Sequence, residues 1–172
     1  MALSALMAAA LCILAPLSIP IGPVPITLSV LAIMLMPYLS GMRLSVLAVV
    51  LYLALGALGL PVFSGFEGGL QKLVGPTGGF LVGYIPLALI AGLFVDKSDR
   101  MPAQLLGLAL GLFACYALGT VWLALQMRID LSAALGAAVL PFLPLDAVKL
   151  VTAAVLGPQL KKRLKRSNAC GD

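Results

Sequence analysis

Residues 141–150 read PFLPLDAVKL, with Asp146 and Lys149 three positions apart and apolar sequence on either side. On a helix, residues i and i+3 are neighbours, so the two opposite charges share one face. A charge inside a membrane helix costs at least about 2.5 kcal/mol and is normally paired or functional. What the pair does depends on whether the surrounding chain lies in a bilayer. Composition answers that. Of 172 residues, 62% are hydrophobic and 10% charged, and the mean hydropathy is +1.16. A soluble domain of this size needs far more polar surface.

A helix needs about 20 apolar residues to cross the hydrocarbon core. Six such spans are expected, near 2–19, 26–41, 43–60, 77–95, 102–127 and 145–163, in an all-α, polytopic membrane fold forming one domain over 1–172. The piece LSAALGAAVL (131–140) is too short to cross and is expected at the interface or leading into the last span. The start, MALSALMAAALCILAPLS, lacks the positive charge of a signal peptide and is read as a retained first helix. Six spans put both termini on one side. If that side is the cytoplasm, the inner segments hold Arg43, Lys97, Arg100, Lys161, Lys162, Arg163, Lys165 and Arg166, and the outer loops hold Lys72 and Arg128. The positive-inside rule therefore favours cytoplasmic termini.

The net charge of +5 comes mainly from the tail KKRLKR (161–166), expected to anchor topology against anionic lipid of the bilayer. Nucleic-acid binding needs more basic surface and stacking aromatics, so it is discarded. There is no histidine, and the three cysteines, Cys12, Cys115 and Cys170, have no metal-ligand spacing. No metal or cofactor is expected. GPTGG and GFEGG lack the Lys–Ser/Thr of a nucleotide loop. The sequence makes no case for an enzyme, so uphill movement of a ligand must draw energy from partners or a coupled ion.

Polar chemistry gathers towards the outer side. Spans two, four and six each open on a proline- or glycine-rich entry: IPIGPVPITL (19–28), GPTGGF (75–80, with Thr77 and Gly78) and PFLPLDAVKL. Three helix N-termini there can hold a carboxylate, or simply be capped. The loop PVFSGFEGGLQKLVGP (61–76) has the length of a lid or binding segment, with Phe63 and Phe66 able to cover an apolar ligand body, or is only a mobile connector. Tyr84 and Trp122 add amphipathic surface, as contacts or as interface anchors. Asp146 and Lys149 form either a self-neutralising structural pair or a polar floor suited to urea-like or amide edges. On the first span, Ser4, Ala8 and Cys12 form one small-residue ridge and Ala5 and Ala9 another, for internal packing or partner docking.

The runs SIPIGPVPITL (18–28), LYLALGALGLPVFSG (51–65), GPTGGFLVGY (75–84) and PFLPLDAVKL (141–150), in that order, closely resemble the BioY family, the biotin-specific S components of energy-coupling factor (ECF) transporters. The resemblance implies a six-helix fold in a bacterial cytoplasmic membrane that captures biotin outside and delivers it inward. It implies partnership with a transmembrane coupling protein and two cytoplasmic ATPases, with Ala5 and Ala9, beside Ser4 and Ala8, on the docking helix. Asp146 and Lys149 match the family's acidic and basic residues and are expected to contact biotin. Ser64 and Gly65 lie where the loop closes on ligand; Phe63, Thr77, Gly78, Tyr84 and Trp122 complete the set of candidate ligand contacts in this sequence. That loop has no asparagine. An S component for another vitamin, or a membrane scaffold whose Asp–Lys pair only locks helices, are the alternatives.

Overall fold

The computed structural model describes residues 2–21 and 24–169. Helix α1 (Ala2–Leu14) is followed by strands β1 (Ser18–Ile21) and β2 (Val24–Thr27), then helices α2 (Ser29–Ala57), α3 (Leu70–Val74), α4 (Gly78–Lys97), α5 (Met101–Met127), α6 (Leu131–Ala138) and α7 (Leu143–Ala169). Four of these, α2, α4, α5 and α7 through Arg163, are long and apolar enough to cross a membrane; α1 is a shorter apolar helix.

The sequence reading carried the first span to residue 19 and began the second at 26. Instead α1 stops at Leu14, and an antiparallel hairpin fills the gap with Ser18 opposite Thr27 and Pro20 opposite Pro25. Pro16 ends the helix, because the residue before a proline is pushed out of the α region. Prolines 20 and 25 then fall in a two-stranded ribbon, where a missing N–H is tolerated at an edge. The proline-rich run is a strand pair, not a helix entry.

Within α2, Gly41 has φ 77° and ψ 174°, a backbone conformation open essentially to glycine alone. Ser29 and Tyr52 line the same small cavity. In a straight helix, 23 residues at 1.5 Å each would separate them by about 35 Å. The chain therefore folds back at Gly41 into two arms, which correspond to the spans expected at 26–41 and 43–60. Ser45 Oγ donates to the Gly41 carbonyl at 2.8 Å, and the Met42 N–H donates to Asp96 Oδ2 at 2.9 Å, fastening the turn to the end of α4.

Helices α4 and α5 pack antiparallel along a seam of small residues. Gly79 faces Trp122, Gly83 faces Cys115, Gly111 faces Leu87 and Gly107 faces Phe94. Such residues let two backbones approach closely where no water drives them together. The core runs through Ile33, Met34, Tyr52, Leu87 and Leu108, all buried. Outward positions stay apolar: Phe113 is 71% and Leu125 74% exposed. That outer surface suits lipid.

The charges sort to the two ends. At one end, Asp96 holds the α2 turn, and Lys161 Nζ donates to Asp99 Oδ1 at 2.9 Å and to the Val95 carbonyl at 3.2 Å. At the other lie Glu67, Lys72 and the end of α5, where Gln126 Nε2 donates to the Val74 carbonyl at 2.7 Å. Helix α6 occupies the short 131–140 segment, and α7 runs on to Ala169, beyond the expected end at 163.

Candidate functional site

Asp146 lies in the first turn of α7 and is only 3% exposed. Its carboxylate is held from two sides. Lys149 Nζ donates to Oδ1 at 2.7 Å from the next turn, and Tyr116 Oη donates to Oδ2 at 2.5 Å from α5. Lys149 Nζ also donates to the Thr27 carbonyl at 2.9 Å, tying α7 to the end of the hairpin. A carboxylate offers about four lone-pair positions and an ammonium three protons. Two carboxylate positions and one ammonium proton are left by these bonds. The pair can thus accept from and donate to a ligand without being broken.

Two adjoining cavities meet here. The first is lined by Asp146, Lys149 and Tyr116, with Phe80, Phe142 and Cys115 among its apolar walls. The second is lined by Ser29, Tyr52, Ser64, Thr77 and Tyr84. Val24, Pro25, Thr27, Phe80 and Tyr84 border both, so the hairpin and α4 form a common partition. The Tyr84 hydroxyl lies 3.5 Å from Thr27 Oγ1, while the buried Tyr52 hydroxyl has no hydrogen-bond partner among the described residues. An acid–base pair at one end, hydroxyls at the other and aromatic rings between them fit an elongated ligand with two polar ends. The cavities measure about 40 and 30 Å³. Each is about the room of one water molecule. Admitting anything larger requires the walls to part.

The residues expected from sequence divide into groups. Asp146, Lys149, Ser64, Thr77 and Tyr84 line the cavities. Phe63, Gly65, Gly78 and Trp122 line neither and act behind the walls. Phe63 is fully buried and meets Tyr52 edge to face, with ring centroids 5.6 Å apart. The Gly65 N–H donates to the Pro16 carbonyl at 3.2 Å, fastening the 58–69 loop to the end of α1. Gly78 opens α4 hard against Leu73, where a side chain would strike backbone. Trp122 Nε1 donates to the Gly75 carbonyl at 3.0 Å, fixing the approach to α4. On α1, Ser4 and Ala8 face inward at 1% and 3% exposure, whereas Ala5 and Ala9 are exposed. An outside partner can reach only the second ridge.

Sequence reasoning missed Tyr116, Tyr52 and the Thr27 carbonyl. The tyrosines carried a usable signal, since a hydroxyl inside an apolar span needs a partner. The carbonyl carried none.

The model of the BioY family matches residues 1–166. This chain belongs to the BioY family. A relative named biotin transporter BioY, from Thermotoga maritima, is 44% identical over 146 residues, 85% of this chain and 86% of its own. Biotin transporter BioY2 of Lactococcus lactis subsp. cremoris is 36% identical over 168 residues, 96% of this chain and 92% of its own. Among solved structures, the S-component for biotin from an ECF-type ABC transporter superposes with a TM-score of 0.84 at 34% identity, covering 92% of this chain and 88% of that one. The fold of this BioY family member is thus that of an ECF S component, a multi-pass membrane protein of a transporter family rather than an enzyme family.

Proposed function

We propose that this chain binds biotin at the outer face of a bacterial cytoplasmic membrane and passes it inward as the substrate-capture subunit of an ECF transporter. The observation that carries this reading is the Asp146–Lys149 pair, buried, held in place and still bordering a cavity with hydrogen-bonding capacity to spare. The relatives named biotin transporters support it.

Biotin has a ureido ring with two N–H groups and a carbonyl, an apolar thiophane ring and a carboxylate tail. Asp146 accepts from the ureido N–H groups, and the remaining Lys149 proton goes to the ureido oxygen. Phe80, Phe142 and Tyr84 flank the thiophane. The Ser64, Thr77 and Tyr52 hydroxyls receive the carboxylate in the second cavity. Hydrogen bonds to charged groups contribute about 1.5–3 kcal/mol each, and an unmatched ligand leaves buried charge unsatisfied. The site therefore selects for a urea edge.

The whole chain acts as one membrane domain with six crossings, formed by α1 with the hairpin, the two arms of α2, α4, α5 and α7. Both termini lie in the cytoplasm, because the end bearing Arg43, Lys97, Arg100 and Lys161 is the more basic. The chain has no ATPase site of its own. Energy comes from two cytoplasmic ATPases through a transmembrane coupling protein that docks on the exposed Ala5 and Ala9.

Radiolabelled biotin bound to the purified protein, challenged with unlabelled biotin, thiamine and riboflavin, tests the substrate. Biotin alone should displace the label. Preferential saturation by thiamine or riboflavin would make it an S component for another vitamin, and absence of all binding by folded protein would favour the scaffold.

A further inference from the structure

A third, larger pocket opens outside the two inner cavities. It has a volume of about 500 Å³ and is lined by Glu67, Gly68, Gln71, Lys72, Pro76 and Thr77. Thr77 is 9% exposed and also lines the second cavity, so the vestibule and the inner site adjoin at that residue. Among the described residues that line it, Lys72 is the only cation, and it reaches across to Glu67 Oε2 at 2.5 Å.

The two ion pairs of the ligand path differ in a way that assigns them different work. The inner pair has side chains 5% and 11% exposed. Removing one partner of such a pair strands a charge. In the vestibule, Glu67 is 57% exposed and Lys72 21%. Exposed pairs contribute little net stability, because water and salt screen them. An incoming carboxylate can take the place of Glu67 on Lys72 at little cost, and Gln71 adds an amide donor beside it. The loop that carries Glu67 is tied down at its ends and base by the Gly69 N–H to the Gly56 carbonyl at 2.7 Å and the Phe63 N–H to the Glu67 carbonyl at 2.9 Å. The Glu67 side chain can swing out without unfolding that loop.

We propose that this vestibule is an entry subsite for the ligand's carboxylate, in which Lys72 is the receiving cation and Glu67 the exchangeable partner it releases. The subsite selects carboxylates over uncharged analogues by rate of capture, whereas Asp146 and Lys149 select the ring by affinity. The Thr77 hydroxyl is the next donor to the carboxylate along the path. This inference rests on the biotin reading above.

The test is stopped-flow binding of biotin, and of uncharged biotinamide, to the full chain in zwitterionic nanodiscs over a range of ionic strength. Lys72→Gln should slow biotin association about tenfold at low salt, since focused charge raises on-rates by at least that factor. The difference should vanish at high salt, dissociation should be unchanged, Lys72→Arg should restore the rate, and biotinamide should not distinguish the variants. Glu67→Gln should speed biotin capture. If K72Q associates with biotin at the wild-type rate and with the same salt dependence, the entry subsite is wrong while the inner site stands. If wild-type protein gives no biotin trace at all, the biotin reading fails and this inference with it.

Discussion

Asp146→Asn separates a structural role for the charged pair from a ligand-binding one. The substitution keeps one oxygen acceptor but removes the negative charge, leaving the Lys149 ammonium with neutral partners alone, the Thr27 carbonyl and the one remaining amide oxygen. Breaking a buried pair by removing one partner costs about 3–5 kcal/mol. Here Lys149 retains a carbonyl partner and is 11% exposed, so a loss at or below the low end, about 2–3 kcal/mol, is expected in thermal unfolding in detergent. For biotin, a hydrogen bond to a charged acceptor contributes about 1.5–3 kcal/mol. Losing it should weaken binding about tenfold to a hundredfold by calorimetric titration. The double variant Asp146→Asn with Lys149→Met removes the stranded charge. It should regain much of the stability while biotin binding stays at least as weak as in D146N. Wild-type affinity in D146N, or recovery of both stability and affinity in the double variant, would refute the ligand-binding role and leave a structural pair.

Four further outcomes are expected. Tyr116→Phe removes the 2.5 Å bond to Asp146 and should weaken biotin binding by about 1–2 kcal/mol, less than D146N does, in the same titration. Gly119→Ala directs a methyl into the Phe80 ring, which borders both cavities; overpacking of this kind costs about 1–3 kcal/mol, so thermal stability and biotin affinity should both fall. Gly41→Ala places a side chain at φ 77° and should lower stability by about 1–3 kcal/mol in thermal unfolding, with biotin affinity largely kept. Ala9→Trp, on the exposed ridge of α1, should leave biotin titration unchanged while abolishing co-purification with the proposed coupling protein.

Much of this architecture was legible because a bilayer simplifies the code. Long apolar runs could only be membrane helices, and Asp146 and Lys149 stood out because charge is expensive there. Even the reversal at Gly41 was visible as the break between two spans. The hairpin was not. Its alternation of apolar residues and prolines over 18–28 carries a strand pattern, but proline at a helix start is also favourable, and only the pairing of Pro20 with Pro25 decides between them. Within the candidate site, residues bearing charge or sitting at loop ends could be named, yet their division into cavity wall and support could not. Trp122 and Phe63 are amphipathic or aromatic at suitable positions, but one spends its N–H on Gly75 and the other packs into Gly56 and Tyr52. Tyr116 reaches Asp146 across 30 residues, a distance that spacing along one helix does not reveal.

The central claim is that Asp146 and Lys149 hold the ureido end of biotin while the hydroxyls of Ser64, Thr77 and Tyr52 face its carboxylate. An experimental structure of the protein with biotin bound at one-to-one stoichiometry tests it most directly. The account predicts ureido nitrogens about 3 Å from the Asp146 carboxylate, the oxygen at the same distance from Lys149, and the tail directed towards Thr77. Biotin bound with its carboxylate on Lys149 and its ring beside Thr77, or bound away from both cavities, would contradict it.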